Sequence, residues 1–140
     1  MTGWDVIDRA TVLHALTASG LPIDSETCQS AEYVRLNLDW VRDEFIPFIR
    51  RNAPNSQGDG FRCIHFVHWM IHELTLAGYW VDLPHSHACA SLHVSRGGDM
   101  HAVGLFLATD GNLYVLDPQE PSIVPINAYR VLGYGRVRFL

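Results

Sequence analysis

The chain has 140 residues, a formal net charge of -5, and 48% apolar against 18% charged residues, the make-up of a folded domain and not of a disordered segment. Its ten Lys and Arg are scattered, with only Arg50 and Arg51 adjacent, so no basic stripe can neutralise a run of phosphates, which argues against nucleic acid as a partner. No run approaches the roughly 18 apolar residues of a membrane span, and Asp5, Asp8 and Arg9 break up the N-terminal segment, so neither a span nor a signal peptide is expected and the reading is cytoplasmic.

A domain of this length buries about two-thirds of its unfolded surface. It needs no staple, and no cofactor and no metal is expected. Cys28, Cys63 and Cys89 lie far apart with no C-x-x-C pair, which reads as free thiols in a reducing compartment.

In chain order, Thr2 can cap a first helix whose Trp4, Ile7, Ala10, Leu13 and Leu16 share one face, with Gly20 and Pro22 ending it. A second helical pattern starts near Ser30 (Tyr33, Val34, Leu36, Val41, Phe45), and Pro47 should kink or end it. The stretch Asn52 to Gly60, with Pro54, Gly58 and Gly60, reads as a loop leading into a third helix, Phe61 to Ala77, closed by Gly78. Beyond it, Ser86 to Val94, His101 to Ala108, Asn112 to Asp117 and Arg136 to Leu140 are short β-rich runs between turn residues. The expected fold class is α+β in a single domain, 1–140: a helical cap over 1–51, then a core over 52–140 in which a central Cys-bearing helix packs on a C-terminal antiparallel β-sheet. Trp40, Trp69 and Trp80 read as core or helix-contact aromatics.

At 100° per residue, Cys63 falls on the core-facing half of the third helix with Phe66, Val67, Met70 and Leu74, while His65, His68 and His72 fall on the other side. If Asp59 or Gly60 caps this helix, Cys63 lies in its first turn, where unpaired backbone N–H groups favour a thiolate. The plain alternative is a buried structural thiol.

The segment His101 to Asp117 reads as two strands about Asp110-Gly111. A two-residue turn would put His101 and Asp117 on opposite faces. A three-residue loop, Thr109-Asp110-Gly111, with Gly111 left-handed, puts them on one face with Val103, Leu105, Leu107, Leu113 and Val115. The second register is preferred because it makes that face uniformly apolar, and the third helix is expected to cover it. Cys63 would then meet an imidazole oriented by a carboxylate, the layout of nucleophile, base and orienter. The plain alternative is a satisfied core His beside an Asp that caps a turn before Pro118.

This succession, a Cys opening a helix, a His opening a strand and an Asp near the end of the next strand, resembles the papain-like cysteine protease superfamily, which includes transglutaminase-like enzymes and the protease-like domain of some fungal lectins. Gln57-Gly58 before Cys63 and His101-Ala102-Val103 are similar to that superfamily's Gln-Gly and His-Ala-Val. The resemblance covers Gln57 to Pro118 and departs from the pattern at Ile64, where the superfamily has Trp, at Asp117, where papain has Asn, and in the short Cys63-to-His101 interval. It implies a minimal papain-like core whose Cys63, His101 and Asp117 act as a catalytic triad, with Gln57 donating to the oxyanion. The implied function is a cysteine-dependent hydrolase or acyltransferase acting on a peptide or protein amide.

Two rival readings come from other residues. His65, His68 and His72 on one helix, or His87, Cys89 and His93 on one strand face, could hold a metal, though neither set has a recognised spacing. The third possibility is a non-catalytic module on the same fold that binds a protein partner. Gly97-Gly98 could form a flexible edge beside the site. Substrate and oligomeric state are not legible.

Overall fold

The computed structural model describes residues 4–54, 62–96, 99–128, 130–131 and 137–140. In chain order they form β1 (Val6–Asp8), α1 (Arg9–Ala18), β2 (Glu32–Val34), α2 (Leu38–Trp40), a π-helical turn (Val41–Phe45), α3 (Ile46–Asn52), α4 (Cys63–Trp80), β3 (Ser86–His87), β4 (Cys89–Arg96), β5 (Asp99–Leu107), β6 (Leu113–Leu116), β7 (Ile123–Pro125), a 3-10 turn (Ile126–Ala128) and β8 (Arg130–Val131).

The expected helical cap is corrected, because two stretches assigned to helices are strands. Val6–Asp8 pairs antiparallel with Glu32–Val34, which pairs parallel with Ser86–His87, making a three-stranded sheet. Helix α1 consequently starts at Arg9. Its cap is Asp8, whose Oδ1 accepts from the Thr11 hydroxyl at 2.6 Å and the Thr11 N–H at 2.9 Å, bonds that hold this carboxyl below its ordinary range. Thr2 lies outside the described residues. Tyr33 and Val34 suit either periodicity, and strand pairing decides between them.

Pro47 also acts differently from the expectation. Asn37 starts α2 by accepting the Trp40 N–H at 3.0 Å, the chain continues through the π turn, and Pro47 falls in the first turn of α3. A missing N–H costs least there.

The second sheet has five antiparallel strands in the order β7-β6-β5-β4-β8. Its central hairpin takes the three-residue loop. Leu107 faces Leu113 and Gly104 faces Leu116. Gly111 has φ of 85° and donates to the Ala108 carbonyl at 2.9 Å. The register places His101, Val103, Leu105, Leu107, Leu113, Val115 and Asp117 on one face.

That face is not the one α4 covers. It packs into a cluster with Val12 and Leu16 of α1, Tyr33 and Phe139, whereas Met70 and Leu74 of α4 join Phe45, Ile49, Phe106 and Leu116 in a second cluster on the other side. Helix α4 chooses that side because Gly104 leaves room for it. A Cβ at Gly104 would lie 2.3 Å from Met70 Cε and 3.2 Å from the Leu116 carbonyl oxygen. The fold is therefore two sheets stitched together, the larger one covered on both faces, not a helix-only cap above one sheet. Gly104→Val should cost about 1–3 kcal/mol through overpacking, read as a lowered urea midpoint. An unchanged midpoint would mean that Met70 simply swings aside.

Between the sheets runs a shared edge. Leu36 N–H donates to the Leu107 carbonyl at 3.1 Å and Thr109 N–H to the Leu36 carbonyl at 2.9 Å, while Ala88 N–H reaches the Val34 carbonyl at 2.8 Å. These bonds fix the first sheet against the hairpin.

Candidate functional site

Cys63 is the first residue of α4, half-buried, and preceded by Arg62 in extended backbone. The cap is supported from inside the helix, the Arg62 N–H donating to His65 Nδ1 at 2.9 Å. Residues 59 and 60, considered above as caps, lie outside the described residues, as do Gln57 and Gly97-Gly98. The Cys63 sulfur accepts the Ala102 N–H at 3.4 Å. This amide lies beyond Gly104, the last residue of β5 paired with β6, so the thiol occupies the strand edge next to His101.

His101 and Asp117 project from the opposite face to the body of α4 and are themselves buried. Their Nε2 and Oδ2 are 2.7 Å apart, which leaves Nδ1 as the ring nitrogen the carboxylate does not hold. Asp117 Oδ1 also accepts the Gln119 N–H at 2.9 Å. The structure thus brings a helix-start thiol, an imidazole and an orienting carboxylate to one end of the hairpin. Backbone is the sulfur's recorded partner. Ala102 N–H was not singled out in the sequence, although a strand amide beyond the end of its neighbour must bond to something.

The other two thiols are sealed. Burial raises the Cys28 thiol above its ordinary range and pushes Cys89 up to about 12. No three His, Cys, Asp or Glu side chains among the described residues lie close enough to hold a metal ion. The metal-binding alternative is corrected accordingly: His65 serves as a cap partner, His68 and His72 face solvent, and Cys89 is walled in by apolar side chains.

A second polar cluster lies where the N-terminal segment meets α2, in a cleft of about 510 Å³ whose walls include Trp4, Asp5, Arg35, Asn37, Trp40 and Thr109. Asp5 and Arg35 form a two-pronged pair, Nε to Oδ2 and Nη2 to Oδ1, each 3.0 Å. Trp40 stacks on Phe45 and on His87, with centroids 5.4 and 6.4 Å away and planes 14° and 13° apart. Trp4 remains 46% exposed. The sequence reading puts Trp4 on a helix face and Trp40 among core or helix-contact aromatics and singles out neither Arg35 nor Asn37, and the distant Asp5 and Arg35 meet only through the β1–β2 pairing. Trp80 departs further from the expectation, being 79% exposed.

His87 forms the floor between this cleft and a neighbouring cavity. Neither ring nitrogen makes a well-formed hydrogen bond. Burial pulls its pKa from 6.5 to about 4, with the nearby Leu74 carbonyl acting weakly in the opposite sense.

No protein-family model and no curated protein matches the sequence. Solved structures do. A Polyporus squamosus lectin bound to the human-type influenza-binding epitope Neu5Aca2-6Galb1-4GlcNAc superposes with a TM-score of 0.73 at 15% identity, over 91% of this chain and 48% of that one. A PSL1a-E64 complex gives 0.68 at 14% identity, over 91% of this chain and 49% of that one. The chain shares its fold with these structures. It spans about half the length of each.

These neighbours overturn the expected family, fold class and function. The papain-like and transglutaminase-like resemblance rested on residue order and spacing, which several folds can satisfy, whereas the superposition covers nearly the whole chain and is with a structure described as a lectin. The cysteine-protease reading, its amide substrate and the protein-binding alternative are withdrawn, and what stands in their place is the fold shared with these two structures. Among the described residues, no helix is long and apolar enough to cross a membrane.

Proposed function

We propose that this chain is a carbohydrate-binding domain. The observation that carries the reading is the superposition, over 91% of the chain, on a lectin solved with a sialylated trisaccharide. A concave site that mixes aromatic and hydrogen-bonding groups adds support, because a sugar presents both an apolar ring face and a polar rim. The test is titration of the chain with Neu5Aca2-6Galb1-4GlcNAc and a panel of immobilised neutral and sialylated glycans. Saturable binding to at least one is expected, and failure to bind any of them at millimolar concentration overturns the reading.

A second reading is favoured by the contact at 3.4 Å between the Cys63 sulfur and the Ala102 amide, one residue from the His101–Asp117 pair. Cys63, His101 and Asp117 would form a nucleophilic thiol centre, with Gln57 as a further candidate member. At neutral pH, iodoacetamide should modify Cys63 ahead of Cys28 and Cys89, and faster in the folded chain than in urea. A slower rate in the folded chain would reduce the cluster to an ordinary half-buried thiol.

A further inference from the structure

The reading as a carbohydrate-binding domain leaves open where the sugar sits, and the inference that follows rests on that reading. We propose that the cleft between Trp4 and Trp40 is a pyranose subsite, in which the Trp4 indole faces the C–H surface of one ring against the fixed wall of Trp40 while Asn37 and the Asp5–Arg35 pair bind its hydroxyls.

Three observations point to a sugar over a wholly apolar ligand. First, the aromatic wall is supported from behind. Trp40 is held between Phe45 and His87 in nearly parallel stacks, so it bounds the cleft as a wall fixed before a ligand arrives, and little side-chain entropy remains to be lost on binding. Trp4, still 46% exposed, gains most from being covered.

Second, the polar groups are fixed yet unsaturated. The Asn37 amide oxygen is committed to the Trp40 N–H at 3.0 Å, which directs its NH2 group away from the helix as a donor pair. Arg35 uses Nε and Nη2 on Asp5, leaving Nη1 without a recorded protein partner among the described residues. Each Asp5 oxygen keeps a second lone pair. Adjacent donors and acceptors on planar groups suit a pair of neighbouring hydroxyls, each of which both gives and takes a proton.

Third, the charges cancel. One carboxylate and one guanidinium already neutralise each other at 3.0 Å, so an ionic ligand gains little there, whereas a neutral polyol gains two-pronged hydrogen bonding without having to displace an ion. The cleft volume of about 510 Å³ also falls within the roughly 300–1,000 Å³ of small-molecule sites.

The experiment uses the intact chain and a glycan that it binds on the panel above, followed by isothermal titration and tryptophan fluorescence. Two substitutions separate contact from folding. Trp4→Ala removes an exposed ring, and Asn37→Asp keeps the oxygen that caps α2 while deleting the NH2 donors. Each should weaken binding about tenfold or more with an unchanged melting temperature, in line with the loss of one strong contact. Indole emission should also shift on titration of the parent chain. If both variants bind within twofold of the parent, the subsite is overturned while the carbohydrate reading stands, its site lying elsewhere. If the parent chain binds no glycan, the carbohydrate reading itself falls.

Discussion

Asp117→Ala is expected to destabilise the fold by about 3–5 kcal/mol, the cost of breaking a buried pair from one side. The side chains of His101 and Asp117 are only 7% and 3% exposed, and their 2.7 Å contact is flanked by Val94, Val103 and Val115. Truncating the carboxylate strips the imidazole of its partner and the Gln119 N–H of its acceptor. Water cannot readily replace either. Asp117→Asn should cost less, because an oxygen remains for Gln119 and the shape is kept. Replacing both residues by Leu should recover part of the loss, since two apolar side chains leave nothing unpaired. Urea unfolding of the three variants measures this. A loss below about 1 kcal/mol for Asp117→Ala would show that water reaches the pair and that it contributes little to the core.

Acidification below pH 6.5 should weaken the fold through His87. Its pKa is about 4 in the folded chain and close to 6.5 once unfolded, so between those values the unfolded state binds more protons and stability rises with pH. The contribution is complete above pH 6.5 and is lost as pH falls towards 4. A difference of this size corresponds to roughly 3 kcal/mol. The imidazole faces the Trp40 ring on one side and Gly78 and Leu83 on another. Along the adjoining cavity the titratable groups Glu32 and His85 face each other at 3.4 Å at its exposed rim. The carboxyls of Asp8 and Asp110 are held below 3.8 and act only in more acidic solution. His87→Leu should therefore flatten the pH dependence of the melting temperature between 6.5 and 4. The same slope in that variant would move the acid sensitivity to another group.

The hairpin was the most legible part of the fold. Its loop chemistry allowed two registers, and an apolar face containing five aliphatic positions singled out the one observed, because a one-residue slip would put Leu113 and Val115 on the face opposite Val103, Leu105 and Leu107. Helix α4 was equally clear from its periodicity. What the sequence did not reveal was the face of the sheet it would cover. That choice depends on Gly104 admitting Met70, and a glycine in a strand carries no such label until both elements are placed. The N-terminal strands were hidden for another reason. Val6–Asp8 and Glu32–Val34 are three residues each, too short for an alternating pattern to outweigh a helical one.

Site reasoning failed in a related way. His101 and Asp117 meet within one hairpin, so their contact followed from local register. Trp4, Asp5, Arg35 and Trp40 meet only after β1 pairs with β2, and once those strands had been read as helices the cleft could not be assembled. The likeness of fold was also beyond the motifs. At 14–15% identity the shared architecture is written in burial and register more than in any string of residues.

The segment around Tyr33 is bound to the far end of the chain. Its hydroxyl donates to the Phe139 carbonyl at 2.6 Å, Gln29 N–H reaches that carbonyl at 2.8 Å, and Phe139 N–H returns to Thr27 at 2.7 Å. Such a clasp sets the order of events during synthesis. The layer beneath α1 cannot close until Phe139 has left the ribosome, so folding is governed by contacts of great sequence separation and should be slow, in the range of milliseconds to seconds.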